Sequence, residues 1–167
     1  MKKSLPVVFL VLLSLTANAQ RHTDSIPVHL KNLRLPDFKL LLTDSSTSFY
    51  TEQLSKKKNT ILMSFSPDCD HCKNQTKELT ENIKQLKEVQ IVMATTYPFN
   101  MMKDFYHTYN IAKYKNIIMG RDVLFFFPKY YQNHYLPLIT IYNKKGELQH
   151  YFDGGVTTAE LIQLANK

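Results

Sequence analysis

The 167-residue chain has no tryptophan, only two cysteines and only four glycines. With so little glycine, seven prolines, no internal repeat and no low-complexity tract, it is neither loop-dominated nor collagen-like nor a solenoid. Two cysteines cannot build a disulfide scaffold. Confined to a single C-x-x-C, they cannot furnish a four-cysteine zinc site either. Long apolar runs are also missing: the best, Leu5 to Leu15, would rise only ~16 Å as a helix against a hydrocarbon core of ~30 Å, too short for a stable transmembrane anchor. What is present is 44% hydrophobic and 21% charged residues, enough for one well-packed domain and too apolar for wholesale disorder.

The apolar run follows Lys2 and Lys3 and precedes Ala17-Asn18-Ala19, the charged start, apolar centre and small-x-small end of an export signal cleaved before Gln20. Residues 1–19 are therefore set apart as a signal peptide, residues 20–35 read as an irregular leader ending at Leu35-Pro36, and residues 36–167 form the domain. No cysteine stands at the cleavage point, which excludes a lipoprotein anchor. The expected destination is the periplasm or the exterior. Lys2 and Lys3 go with the signal, leaving 19 basic against 14 acidic residues, a net charge of +5. These lysines are scattered along the sequence and not interleaved with aromatics, so they read as a solvated surface and not as a nucleic-acid footprint.

Short apolar runs at Phe38–Thr43 and Phe49-Tyr50 flank Asp44-Ser45-Ser46-Thr47, predicting a β-hairpin. A short helix capped by Thr51 follows. Thr60–Phe65 reads as a buried strand and Val89–Thr95 as another, separated by a helical pattern from Cys69 to about Lys87, with Leu79, Ile83 and Leu86 on one face. Pro98 suits the start of a helix to about Tyr109, with Met102, Phe105, Tyr106 and Tyr109 on its apolar side. Past Gly120 the pattern blurs. It clears in a second hairpin, Leu138–Tyr142 and Leu148–Phe152 around Asn143–Gly146, and Gly154-Gly155 leads into a final helix capped by Thr157. Six strands in this order predict an α/β fold: a mixed central sheet with helices on both faces.

Chemistry concentrates in Cys69-Asp70-His71-Cys72. A C-x-x-C between strand and helix sets the first sulfur at the helix N-terminus, where unpaired N–H groups and the macrodipole favour an anion. Cys69 is then the attacking thiolate, and Cys72, one turn in, is placed to resolve the mixed disulfide that Cys69 makes. A purely structural disulfide would close a four-residue loop and contribute only ~2 kcal/mol before strain. A metal site would need two further ligands, from His71, His107, His134 or His150.

At these residues the sequence resembles the thioredoxin superfamily, and specifically the exported TlpA/ResA-like thiol-disulfide oxidoreductases. The resemblance spans Leu35 to Ala165: Pro36-x-Phe38 entering the first hairpin, the strand into Cys69-Asp70-His71-Cys72, Leu136-Pro137 before a strand, and Gly154-Gly155 before the last helix. It implies a thioredoxin-like fold with an N-terminal β-hairpin extension and no cofactor. It also implies a disulfide or thiol in another protein as substrate, reductase more than oxidase activity, and electrons from a membrane-bound thiol donor. Pro137 matches the superfamily's cis-proline facing the cysteines, with Leu136 lining the substrate groove.

The departures bear on redox poise. Asp68 stands where an aromatic often precedes the first cysteine, and His71 where TlpA/ResA-like proteins commonly have proline. His71 favours the Cys69 thiolate, whereas Asp68 and Asp70 oppose it. Gln75 takes the place of a glutamate and cannot exchange protons, and Glu78 lies one turn further on. Two alternatives compete. A peroxiredoxin-type peroxidase would need proline at Leu62 and threonine at Ser66. A copper carrier of this fold would draw His134 or His150 to the thiolates.

Overall fold

A computed structural model describes residues 28–167; the signal assigned to 1–19 and the first part of the leader lie outside the described residues. The helices are α1 (Val28–Lys31), α2 (Asp70–Glu81), α3 (Phe99–Thr108), α4 (Phe126–Tyr131) and α5 (Thr158–Ala165). The strands are β1 (Lys39–Leu42), β2 (Ser48–Tyr50), β3 (Asn59–Ser64), β4 (Val89–Thr95), β5 (Ile117–Arg121), β6 (Leu138–Tyr142) and β7 (Leu148–Asp153). All strands join one sheet in the order β2-β1-β5-β4-β3-β6-β7. The three central strands β3, β4 and β5 are parallel; β1 and β6 flank them antiparallel, and β2 and β7 close the edges as hairpin partners.

Every residue of β3 and β4 is buried, as expected for strands covered on both faces. Alternation divides them between two cores. Ile61, Met63, Ile91, Met93, Ile139 and Ile141 meet Leu79, Phe105 and Leu161 of α2, α3 and α5. On the other face, Leu62, Val92, Leu138 and Tyr142 meet Phe38, Phe49 and the α4 residues Phe127 and Tyr131. Each such aliphatic side chain contributes about 1.5–3 kcal/mol by leaving water.

Three elements depart from the sequence expectation. The sheet has a seventh strand, β5, where six strands are expected. Its short Ile117-Ile118-Met119 run ends at Gly120, which reads as punctuation in sequence. In space Gly120 is where β1 crosses close by: a Cβ there would come within 2.7 Å of Leu40 Cβ. The helix after the cysteines stops at Glu81 instead of running to Lys87: Asn82 leaves the helical region, at φ −102° and ψ 10°, and closes the last turn by donating both its backbone N–H, at 3.1 Å, and its side-chain amide, at 2.9 Å, to the Glu78 carbonyl. A separate 3-10 turn, Ile83–Leu86, carries Leu86 into the core. In the leader, α1 forms a helical turn whose His29 is buried and stacks on Tyr151 at 4.5 Å.

The blurred aromatic segment resolves into α4. Asp122, itself buried, accepts the Phe127 N–H at 2.8 Å and fixes the helix start. Thr51 is not the cap of the short 51–53 turn. That turn is capped by Tyr50, and the Thr51 hydroxyl instead accepts the Phe38 N–H at 2.8 Å, tying the hairpin to its entry. Thr157 does cap α5, accepting the Glu160 N–H.

Candidate active site

The parallel strands β3, β4 and β5 all end on one side of the sheet, and the chain leaves β3 through Phe65, Ser66 and Pro67 into α2. Ser66 organises this turn: its carbonyl accepts the Cys69 N–H at 3.2 Å and its hydroxyl the Asp68 N–H at 3.3 Å. Cys69 becomes the N-cap of α2, with extended backbone. Its sulfur accepts the Cys72 N–H at 3.3 Å, satisfying one of the orphan donors of the helix start. The first helical bond runs from Lys73 N–H to the Cys69 carbonyl.

Both thiols are free, and they differ in access: Cys69 is half-buried, whereas Cys72 is fully buried against the α2-facing core. That burial, first, and then the neighbouring Cys69 push the Cys72 thiol far above its ordinary value. Its backbone is held as well, since the Thr76 hydroxyl donates to the Cys72 carbonyl at 2.8 Å. One sulfur is thus open to a partner, while the other is kept protonated behind it.

The chain before β6 covers the pair from the far side. The Leu136-Pro137 peptide is cis, and the Cys69 thiol donates to the Leu136 carbonyl across 3.6 Å. Leu136 is half-buried and Pro137 buried; of the two positions singled out in sequence, Leu136 meets Cys69 through its carbonyl, and Pro137 lines the neighbouring groove with His71 and Gln75. Asp153, at the end of β7, holds the approach to them. Its carboxylate accepts the N–H groups of His134, at 2.9 Å, and Tyr135, at 2.7 Å, and meets the His134 ring at 3.3 Å. These bonds outweigh the opposing effect of burial and keep the Asp153 carboxyl below its ordinary value.

Gln75 is buried and works as a brace. Its carbonyl oxygen accepts the Val156 N–H at 3.2 Å and its amide donates to the Thr158 hydroxyl at 3.4 Å. Thr158 in turn donates to the Glu78 carboxylate at 2.7 Å, so Glu78 faces the same groove as Gln75 and is tied to α5. Gly155, with φ of +92°, packs where a Cβ would press the Gln75 oxygen at 3.3 Å and Pro137 at 3.4 Å. Asp153 and Thr158 are the positions that sequence reasoning missed. Their place on either side of the Gly154-Gly155 doublet was their only signal.

The neighbours Asp68, Asp70 and His71 of Cys69 are unequal. Asp70 forms an ion pair with Lys73 at 3.0 Å, which holds its carboxyl below the ordinary range. Asp68 and His71 are exposed. The site lies between two grooves, one lined by His71, Gln75, Glu78, Pro137 and Glu160, the other by Asp68, Lys73, Asp104, Phe105 and Tyr109. The histidines that a copper site would enlist do not join the pair: His134 is turned to Asp153, and among the described residues no three His, Cys, Asp or Glu side chains converge. Leu62, where the peroxidase pattern needs proline, lies buried in the middle of β3.

The chain matches no protein-family model and no curated protein in sequence. Its fold is similar to that of a secreted Mycobacterium tuberculosis disulfide oxidoreductase homologous to E. coli DsbE, with 19% identity over 77% of this chain and 94% of the other and a TM-score of 0.65. It is also similar to StoA from Bacillus subtilis (16% identity, 80% and 98% covered, TM-score 0.60). A third likeness is to the reduced 2-Cys peroxiredoxin of Plasmodium vivax (16% identity, 80% and 78% covered, TM-score 0.65). The fold is thioredoxin-like.

Proposed function

We propose that this thioredoxin-like chain is an exported thiol-disulfide oxidoreductase of the TlpA/ResA-like kind, reducing a disulfide in a partner protein. The observation that carries the reading is the asymmetry of the pair: a reachable Cys69 sulfur at the start of α2, with a fully buried Cys72 one turn behind it and the Leu136 carbonyl alongside. Cys69, as thiolate, attacks one sulfur of the substrate disulfide. A Cys69–substrate disulfide forms and the other substrate sulfur leaves as a thiolate. Cys72 then gives up its proton to the substrate thiolate just released, and its sulfur attacks the Cys69 sulfur, forming the intramolecular disulfide and releasing the second substrate thiolate. Two electrons pass to the substrate, and a dithiol donor, proposed to be membrane-bound, restores the pair.

Leu136 and Pro137 form the substrate groove in this reading, with Asp153 and Gln75 as positioning residues. Asp68, Asp70 and His71 set the poise. Asp70 is already paired with Lys73, so part of its charge is balanced locally. Export rests on the order of features in residues 1–19 and agrees with the secreted M. tuberculosis neighbour.

The test is reduction of a protein disulfide by the reduced chain, with Cys69→Ser inactive and Cys72→Ser accumulating a mixed disulfide on Cys69. Retained activity in Cys69→Ser would refute the assignment. The likeness to a peroxiredoxin favours a second reading, peroxide reduction by Cys69. Rapid formation of a Cys69 sulfenate with peroxide would support it over disulfide exchange.

A further inference from the structure

The lysines that lie scattered in sequence are gathered by the fold. Because β3, β4 and β5 are parallel, the segments preceding them emerge at one end of the sheet, opposite Cys69, and the turn after antiparallel β6 emerges there too. Those four segments carry Lys56, Lys57 and Lys58; Lys84 and Lys87; Lys113 and Lys115; and Lys144 and Lys145. All are exposed except Lys58, which is half-buried and reaches across to the Lys87 carbonyl at 3.4 Å. Lys58, Lys84, Lys87, Lys113 and Lys115 ring one open hollow of about 530 Å³ that no carboxylate lines. Lys56, Lys144 and Lys145 join Lys58 around a second of about 430 Å³, where Asp37 and Glu52 temper the charge.

We infer that this end is a docking surface for an anionic phospholipid bilayer, with the lysines among the headgroup phosphates and the cysteines facing away from the membrane. A small soluble anion fits less well, because the polar side chains in the hollows are already committed. The Gln90 amide bonds Ser55 and Thr60, and the Asn116 amide bonds the Leu86 and Val89 carbonyls. What is left is a broad positive field from flexible side chains on four segments, the kind of surface that headgroups recognise. Nucleic acid is disfavoured by the lack of stacking partners: Tyr114 is the single aromatic lining either hollow, and it packs on the core. Among the described residues no helix is long and apolar enough to cross a membrane.

The experiment is flotation of the full chain with vesicles of phosphatidylglycerol and phosphatidylcholine, against vesicles of phosphatidylcholine alone. A quadruple variant, Lys84→Gln with Lys87→Gln, Lys113→Gln and Lys115→Gln, is compared with a control of equal net charge, Lys39→Gln with Lys77→Gln, Lys103→Gln and Lys129→Gln. Both keep the N-terminal apolar run, so its contribution cancels. Each lysine near the surface is worth about fivefold in affinity, so the first variant, which lacks four, should lose roughly six hundredfold and the control less than about threefold. The same four positions changed to arginine should keep binding, and raising salt from about 0.1 to about 1 M should abolish it. Equal losses in both glutamine variants, equal binding to neutral vesicles, or retention on duplex DNA without binding to anionic vesicles would each overturn the proposal.

Discussion

The two ends of the central sheet are made by the same strands and present opposite surfaces. The grooves beside the cysteines hold four carboxylates, Asp68, Asp104, Glu78 and Glu160, with Lys73 as their one lysine. At the other end eight lysines line the two hollows, against Asp37 and Glu52. A net charge of +7 conceals this division, because topology, and not order along the chain, decides which charges become neighbours. The acidic end is also the organised one. Its side chains are fixed by Asp153, Gln75 and Thr158, whereas the lysine end depends on side chains that stay mobile and hydrated.

The largest effect that would separate the ends is Cys69→Ser. It should lower disulfide reduction by more than about a thousandfold, measured as turnover of a protein disulfide, and leave vesicle binding unchanged. The reciprocal experiment uses the quadruple lysine variant, which should lose its vesicles while reducing a soluble protein disulfide within about twofold of the natural rate, since screening isolates the two ends. A large drop in soluble activity would show that the ends are coupled.

A smaller effect is expected at Asp153. Asp153→Ala frees the N–H groups of His134 and Tyr135 and loosens the segment carrying Leu136. The expected cost is about 1–2 kcal/mol of stability by denaturant unfolding and roughly a tenfold fall in kcat/KM, with Asp153→Asn intermediate. Activity equal to the natural chain's would remove Asp153 from the groove's support.

The smallest effect is on alkaline stability. The buried Cys72 thiol, raised from an ordinary 9.0, keeps its proton in the folded chain while the unfolded chain gives it up. The stability this contributes is fully present below pH 9 and declines as pH rises beyond it. Tyr142 and Tyr151, both raised to about 12 by burial, add the same slope from pH 10 upward. In thermal melts of the reduced protein, Cys72→Ala should lack the decline between pH 9 and 10 and share the steeper one above. An unchanged profile would mean that Cys72 is not sealed from water.

The acidic end was the more legible in sequence. C-x-x-C between a strand and a helix, Pro137 ahead of a strand and the Gly154-Gly155 doublet stand at recognisable spacings, and each falls where expected. The elements built from strong periodicity, β3, β4, α3, β6 and α5, appear within a few residues of their expected bounds. What escaped depends on contacts that are distant in sequence. The β5 strand was hidden because Gly120 has no local reason to be a glycine; its reason is Leu40 on β1. The start of α4 was hidden because phenylalanine and tyrosine have no strong helical preference and Asp122 acts from five positions away. The gathering of the lysines at one end was hidden because they come from four segments joined only by the order of the strands, although their exposure is as expected.

One dimension of the sheet gains meaning from this division. β3 has six residues, a rise of about 20 Å, with the lysine hollows at its start and Cys69 just beyond its end. That is more than twice the roughly 8 Å screening length at physiological salt. A bilayer gripped at one end would leave the potential at the reactive sulfur almost untouched. The strand would then act as a stand-off: it sets the height above the headgroups at which a partner's sulfur must be carried in order to meet Cys69.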